Sequence, residues 1–180
     1  MRSVNKWKVE SGKNTRHFPL SISKPGGRHA FIDTIRRMEI LPANILDLKT
    51  LRKLERESFE RDAWPLFDLM AVLTFPDVIR LKVVEDRQMV GFVAGDPRPR
   101  DGWGWIATIA VDPRFRRRGF ATALLRECEK RLGVPRSRLT VRLSNQGAIR
   151  MYEREGYVMI DIWKTYYADG EDAMVMEKTL

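Results

Sequence analysis

Apolar positions along this chain change their spacing several times, and each change marks an element. Arg37 to Leu41 reads as a first short strand. From Pro42, apolar residues Ile45, Leu48, Leu51, Leu54 and Phe59 recur at helical spacing, and Trp64-Pro65 breaks the pattern. Leu66 to Phe75 predicts a second, short helix ending at Pro76. Three apolar, β-branched runs follow: Val78–Glu85, Gln88–Gly95 and Trp105–Val111. The first two are close enough for an antiparallel hairpin. The next connection, Asp96–Gly104, carries two Pro and two Gly and predicts a loop.

After Val111 the spacing returns to helical, roughly over Gly119–Leu132, and Gly133-Val134-Pro135 ends it. Leu139–Leu143 alternates as a strand. Ser144 or Asn145 can cap a helix running to Glu155, with Gly156 as its stop. Tyr157–Trp163 and Ala173–Lys178 close the chain as two strands around Ala168-Asp169-Gly170. This order predicts an α/β domain, a mixed sheet with helices on its faces, without repeats or a second domain.

Residues 1 to about 34 lack any sustained apolar spacing. The first 33 hold seven Lys/Arg against two acids, so five of the nine net positive charges lie there. We expect a basic extension over 1–34 and a single patterned domain over 35–180. The extension has open readings: a solubility tail or an early start codon, a tether to RNA or the ribosome, or a transit peptide. An acidic partner or a phosphorylated cofactor suits the charge. No run approaches the ~18 apolar residues of a membrane span, so no membrane role is expected and the cytoplasm is the default. Cys128, the single cysteine, sits on the apolar face of its helix and reads as a core residue. Both histidines, His17 and His29, lie in the extension, so the patterned body has none.

The strand ending at Val111 runs into Asp112-Pro113, four arginines (Arg114, Arg116, Arg117, Arg118) and then Gly119-Phe120-Ala121-Thr122 at a helix start. The first N–H groups of a helix lack internal partners and favour anions. Gly119 leaves backbone uncovered, and the arginines are donors suited to phosphate. No GxxxxGK[ST] is present, and Gly102 and Gly104 form a lone GxG in a loop, so other phosphate loops fit worse. A solvated or RNA-facing basic patch is the alternative for the arginine run alone, and the Gly-x-Ala continuation into an amphipathic helix counts against it.

Arg116-Arg117-Arg118-Gly119-Phe120-Ala121 resembles the acetyl-CoA signature of GNAT acetyltransferases, (Q/R)-x-x-G-x-(G/A). Asn145 to Tyr157 resembles the second signature, N-x-x-A-x-x-x-Y-x-x-x-G-F/Y. The tail Tyr166-Tyr167-Ala168-Asp169-Gly170-Glu171-Asp172-Ala173 is similar to the end of protein N-terminal acetyltransferases, including the bacterial RimI type. The resemblance covers about Arg37–Leu180. It implies a GNAT fold with a mixed, mostly antiparallel sheet and splayed strands holding acetyl-CoA.

It also implies roles. The pantetheine arm would lie along Ile109, Ala110 and Val111, and the pyrophosphate on Arg117, Arg118, Gly119, Phe120, Ala121 and Thr122, with Arg116 also binding the cofactor. Asn145 would contact the cofactor, although an N-cap role is equally compatible with its position. Tyr152 would protonate the departing thiolate; a core tyrosine is the alternative. Tyr166 and Tyr167 would line the entrance for a protein or peptide N-terminus, or are ordinary strand-end aromatics. Thr140 stands where RimI-type enzymes carry a glutamate base. The expected activity is acetylation of an N-terminal α-amine; a lysine or small-amine acceptor, or a weakly catalytic CoA-binding module on RNA or the ribosome, are the rivals. No metal is expected, and monomer and dimer are both open.

Overall fold

The spacing changes become elements in the computed structural model, which describes residues 38–59 and 63–180. The expected extension and Arg37 lie outside the described residues. Strand β1 is Glu39–Pro42, so Pro42 ends the strand instead of opening the helix. Proline is tolerated there because β1 lies at an edge of the sheet. Asn44 is the actual helix signal. Its side chain accepts from Leu46 N–H and Asp47 accepts from the Asn44 N–H, each at 2.9 Å, a reciprocal capping box. A 3₁₀ turn, Ile45–Asp47, leads into α1, Leu48–Ser58. Leu51 and Leu54 are buried on its inner face, whereas Ile45, expected on that face, is exposed.

Helix α2 spans Leu66–Thr74 and stops ahead of Phe75-Pro76, because a residue before proline avoids helical geometry. Strands β2 (Ile79–Glu85) and β3 (Gln88–Arg98) form the expected antiparallel hairpin. Its two-residue turn, Asp86-Arg87, has positive φ at both positions, 49° and 63°, which matches the twist of the strands. Strand β4 is Trp103–Val111. The loop expected over 96–104 is shorter than predicted: Asp96, Pro97 and Arg98 pair with Trp105, Gly104 and Trp103. Only a 3₁₀ turn, Pro99–Asp101, and Gly102 at φ +70° remain outside the strands.

Helix α3, Phe120–Leu132, buries Phe120, Leu124, Leu125, Cys128 and Leu132. Its spacing of three and four residues puts them on one stripe. Gly95 lies under this helix, where an added Cβ would come within 2.6 Å of the Cys128 sulfur. Burial pushes the Cys128 thiol up to about 12, so it is an inert core residue, as read from sequence. Strand β5 (Arg136–Arg142), helix α4 (Gln146–Arg154), and strands β6 (Val158–Trp163) and β7 (Ala173–Thr179) complete the chain.

The seven strands lie in the order β1-β2-β3-β4-β5-β7-β6, all antiparallel except β4–β5. One core joins the sheet to α3 and α4, including Leu124, Leu139, Val141, Ile149 and Tyr152. A second, with Leu51, Leu69, Phe92, Ala94 and Ala110, joins the opposite face of β3 and β4 to α1 and α2.

Candidate active site between splayed strands

Strands β4 and β5 pair only at Gly104↔Ser137 and Trp105↔Arg138. Just beyond, the β3–β4 register shifts: Gly95 faces Ile106 while Ala94 faces Thr108, leaving Ala107 as an extra residue. A bulge bends its strand. Past this one β4 keeps β3 and β5 keeps β7, and the two strands part. Their shared direction puts both C-terminal ends, and the N-termini of α3 and α4 that follow, at the open end of the V. Ligands in open α/β sheets bind outside such strand ends.

The open edge of β4 can be assigned by alternation. Asp112 N–H donates to Val90 O of the β3 segment at 2.9 Å. Ala110 therefore also turns its backbone toward β3, and Ile109 and Val111 turn theirs into the V. The Val111 carbonyl accepts from Arg116 Nε at 3.2 Å and Ser58 Oγ at 3.4 Å. Ile109 N–H and C=O and Val111 N–H remain on the edge for a ligand. Ala110, expected beside them, turns its backbone to β3 and its small side chain into the α1–α2 core.

The turn after β4 is braced from within. Asp112 is buried and accepts from the Arg114 backbone N–H (2.9 Å) and from its guanidinium (3.1 and 2.6 Å). Those hydrogen bonds hold the Asp112 carboxyl below its usual range despite burial. Arg116 bonds Val111 O and Ser58 O. Arg118 pairs with buried Glu85 and lies 5.4 and 5.2 Å over the rings of Phe115 and Phe120. Both the Arg116 and Arg118 guanidiniums, expected to bind the cofactor, bond within the protein and brace this turn.

Arg117 differs. It is exposed, sits at φ +64° and has no partner among the described residues. Together with the open N–H groups at the start of α3, this exposed cation forms an anion cradle. Gly119 caps the helix at φ +85°, with nothing within 4 Å of where a Cβ would stand. Phe120 is buried, and Ala121 and Thr122 are half-buried in the first turn. The cradle fits a pyrophosphate. Gly119→Ala is expected to cost about 1–2 kcal/mol through the left-handed backbone and to raise KM for the acyl donor; thermal denaturation and donor titration check the two effects.

Across the V, Asn145 is the N-cap of α4. Its Oδ1 accepts from Ala148 N–H at 3.1 Å, while its Nδ2 is buried without a hydrogen-bond partner. A buried amide left unpaired is costly, and a ligand acceptor at the strand ends would satisfy it. Tyr152 lies two turns along the same helix, 1% exposed, its ring 5.7 Å from Tyr157. Its hydroxyl forms no hydrogen bond among the described residues, and burial pushes the phenol well above its ordinary pKa, so it holds its proton.

Thr140 is buried in β5 opposite Val175 of β7. Tyr166 is half-buried and Tyr167 2% exposed, in the loop between β6 and β7. Two participants escaped the sequence reading. One is the bulge at Ala107. The other is Arg142, which grips that loop and is visible in sequence only as a charge in a strand just before Asn145.

Splayed parallel strands, an anion cradle and a phenol that keeps its proton together suit acyl transfer from a pyrophosphate-bearing donor. Residues 47–157 match the acetyltransferase (GNAT) family. The chain belongs to that family and is an acetyltransferase that uses acetyl-CoA. An N-alpha-acetyltransferase of Sulfurisphaera tokodaii is 27% identical over 163 residues, 81% of this chain and 95% of the relative. Another, of Saccharolobus solfataricus, is 33% identical over 115 residues, 54% of this chain and 66% of that relative. The crystal structure of the ribosomal-protein-S18-alanine N-acetyltransferase from Escherichia coli matches with a TM-score of 0.72 at 26% identity, over 79% of this chain and 93% of that one. No described helix is long and apolar enough to cross a membrane.

Proposed function

We propose that this acetyltransferase modifies the α-amine at protein or peptide N-termini, with residues 35–180 as the catalytic domain and 1–34 as a basic extension. Similarity to proteins named for that activity supports the reading. The observation that carries it is Thr140, a buried hydroxyl where RimI-type enzymes have a carboxylate base. Such a site suits an amine that is already neutral. An α-amine with pKa about 7.7–8.0 is roughly one-third neutral near pH 7.5; a lysine at about 10.4 is neutral on the order of one part in a thousand. New N-termini emerge in the cytoplasm, which is where we place the enzyme.

Acetyl-CoA supplies an activated acetyl thioester. Ile109 and Val111 would hold its arm through backbone groups, and the 116–122 turn would hold its phosphates. The Val111 N–H, turned into the V, would be the backbone donor for negative charge developing on the thioester carbonyl oxygen. Tyr152 holds a proton for the sulfur. A silent module on RNA is the poorer reading, since mere binding gives no use to a buried phenol lacking a partner among the described residues. Mass spectrometry of paired peptides, one with a free α-amine and one with only a free lysine, tests the acceptor. Preference for the α-amine is expected; preference for lysine defeats the reading.

A further inference from the structure

Strand β5 sends Ser137, Leu139 and Val141 toward α3 and α4: Leu139 and Val141 join that core and Ser137 bonds the Tyr157 hydroxyl at 2.7 Å. Alternation sends Arg138, Thr140 and Arg142 to the other face, where α1 and α2 cover β3 and β4. Arg142 ends the strand, 4% exposed. Its Nη1 lies 3.0–3.1 Å from both oxygens of Asp169 and bonds Glu171, and its Cζ sits 4.0 Å over the Tyr167 ring. The other Glu171 oxygen accepts Ser144 N–H at 2.8 Å. The loop is tied within itself too: Tyr167 N–H donates to Glu171 O at 3.0 Å, and Asp172 accepts from Thr165 N–H at 2.9 Å.

The same residue reaches the cofactor side. The Arg142 carbonyl accepts Asn145 N–H at 3.0 Å. From Tyr167, a line of rings runs through Tyr166 (5.2 Å), Trp163 (5.4 Å) and Trp105 (5.8 Å). Trp105 is the last β4 residue paired with β5. This aromatic wall thus stretches from the root of the V to the loop that Arg142 clamps.

We infer that Arg142 is a positioning residue: through Asp169, Glu171 and Tyr167 it sets the aromatic wall against which the acceptor peptide lies. The inference rests on the proposed acceptor reading for its choice of substrate. Arginine suits the task because its planar fork meets two carboxylates while its face stacks on a ring; lysine keeps only the charge.

Arg142→Lys is expected to raise KM for the acceptor peptide about tenfold or more, since small displacements near reacting groups have large effects. The coenzyme A Kd by calorimetry should stay within about twofold. The double variant Asp169→Asn, Glu171→Gln keeps Arg142 and the loop's hydrogen-bonding shape but removes the ion pairs; it should reproduce the selective rise and decides the matter if Arg142→Lys does not fold. An unchanged peptide KM in a folded variant overturns the inference, as does a parallel loss of coenzyme A binding, which marks general damage. Assaying the α-amine and lysine peptides side by side separates the two claims. Wild-type preference for lysine sinks the acceptor reading, while the selective KM change on the preferred peptide still judges Arg142.

Discussion

Tyr152→Phe is expected to lower kcat about a hundredfold or more, within the usual range for loss of a positioned acid, while KM for acetyl-CoA and the thermal midpoint hold. The variant removes one oxygen and keeps the ring. That ring is buried between α4 and the sheet, beside Tyr157. Because the hydroxyl bonds nothing among the described residues, its loss breaks no protein hydrogen bond, and stability has no reason to fall. Burial raises the phenol pKa, so Tyr152 stays protonated across the working range and is fitted to serve as a donor and not as a base. Wild-type kcat should accordingly show no alkaline decline from this group up to about pH 9, below the ordinary tyrosine value. Steady-state kinetics following thiol release check both statements. A turnover number unchanged in Tyr152→Phe would return the residue to the core.

The anion turn and the α4 motif were legible because their chemistry is local. Gly119, the helix start and the Asn145 cap act within a few residues of themselves. The arginine roles were not, since each choice depends on distant partners. Arg118 is taken by Glu85, 33 residues earlier, and Arg116 by Ser58, 58 residues earlier. In sequence the four arginines look equivalent; in the fold three are braces and Arg117 is exposed without a partner among the described residues. Arg142 was hidden for the same reason, its carboxylates lying 27 and 29 residues on.

The bulge at Ala107 has no composition signal at all. It is fixed by the offset between Gly95↔Ile106 and Ala94↔Thr108, a property of two strands together. Yet it bends β4 from β5 and so opens the V. The succession of strands and helices along the chain followed from spacing, whereas the boundary errors at Pro42 and 96–104 arose where pairing overrode turn-forming residues. Pro97 sits inside a paired strand end opposite Gly104.

Asn145→Asp separates the two roles of that residue. Aspartate caps a helix as well as asparagine and favours its positive end, so the thermal midpoint should hold or rise slightly. The amide donor, however, becomes an acceptor. A buried polar group left without its partner costs about 1–3 kcal/mol, so KM and Kd for the cofactor should rise about 5- to 150-fold, with charge repulsion from its phosphates adding to the loss. Asn145→Ser is the neutral control: serine also caps, but it lacks the amide's reach. Loss of coenzyme A binding in both variants, with α4 still capped, assigns the effect to the Nδ2 that is now buried without a partner. Binding unchanged in both would make Asn145 a cap and nothing more, and acetyl-CoA would then be held from the β4 side of the V alone.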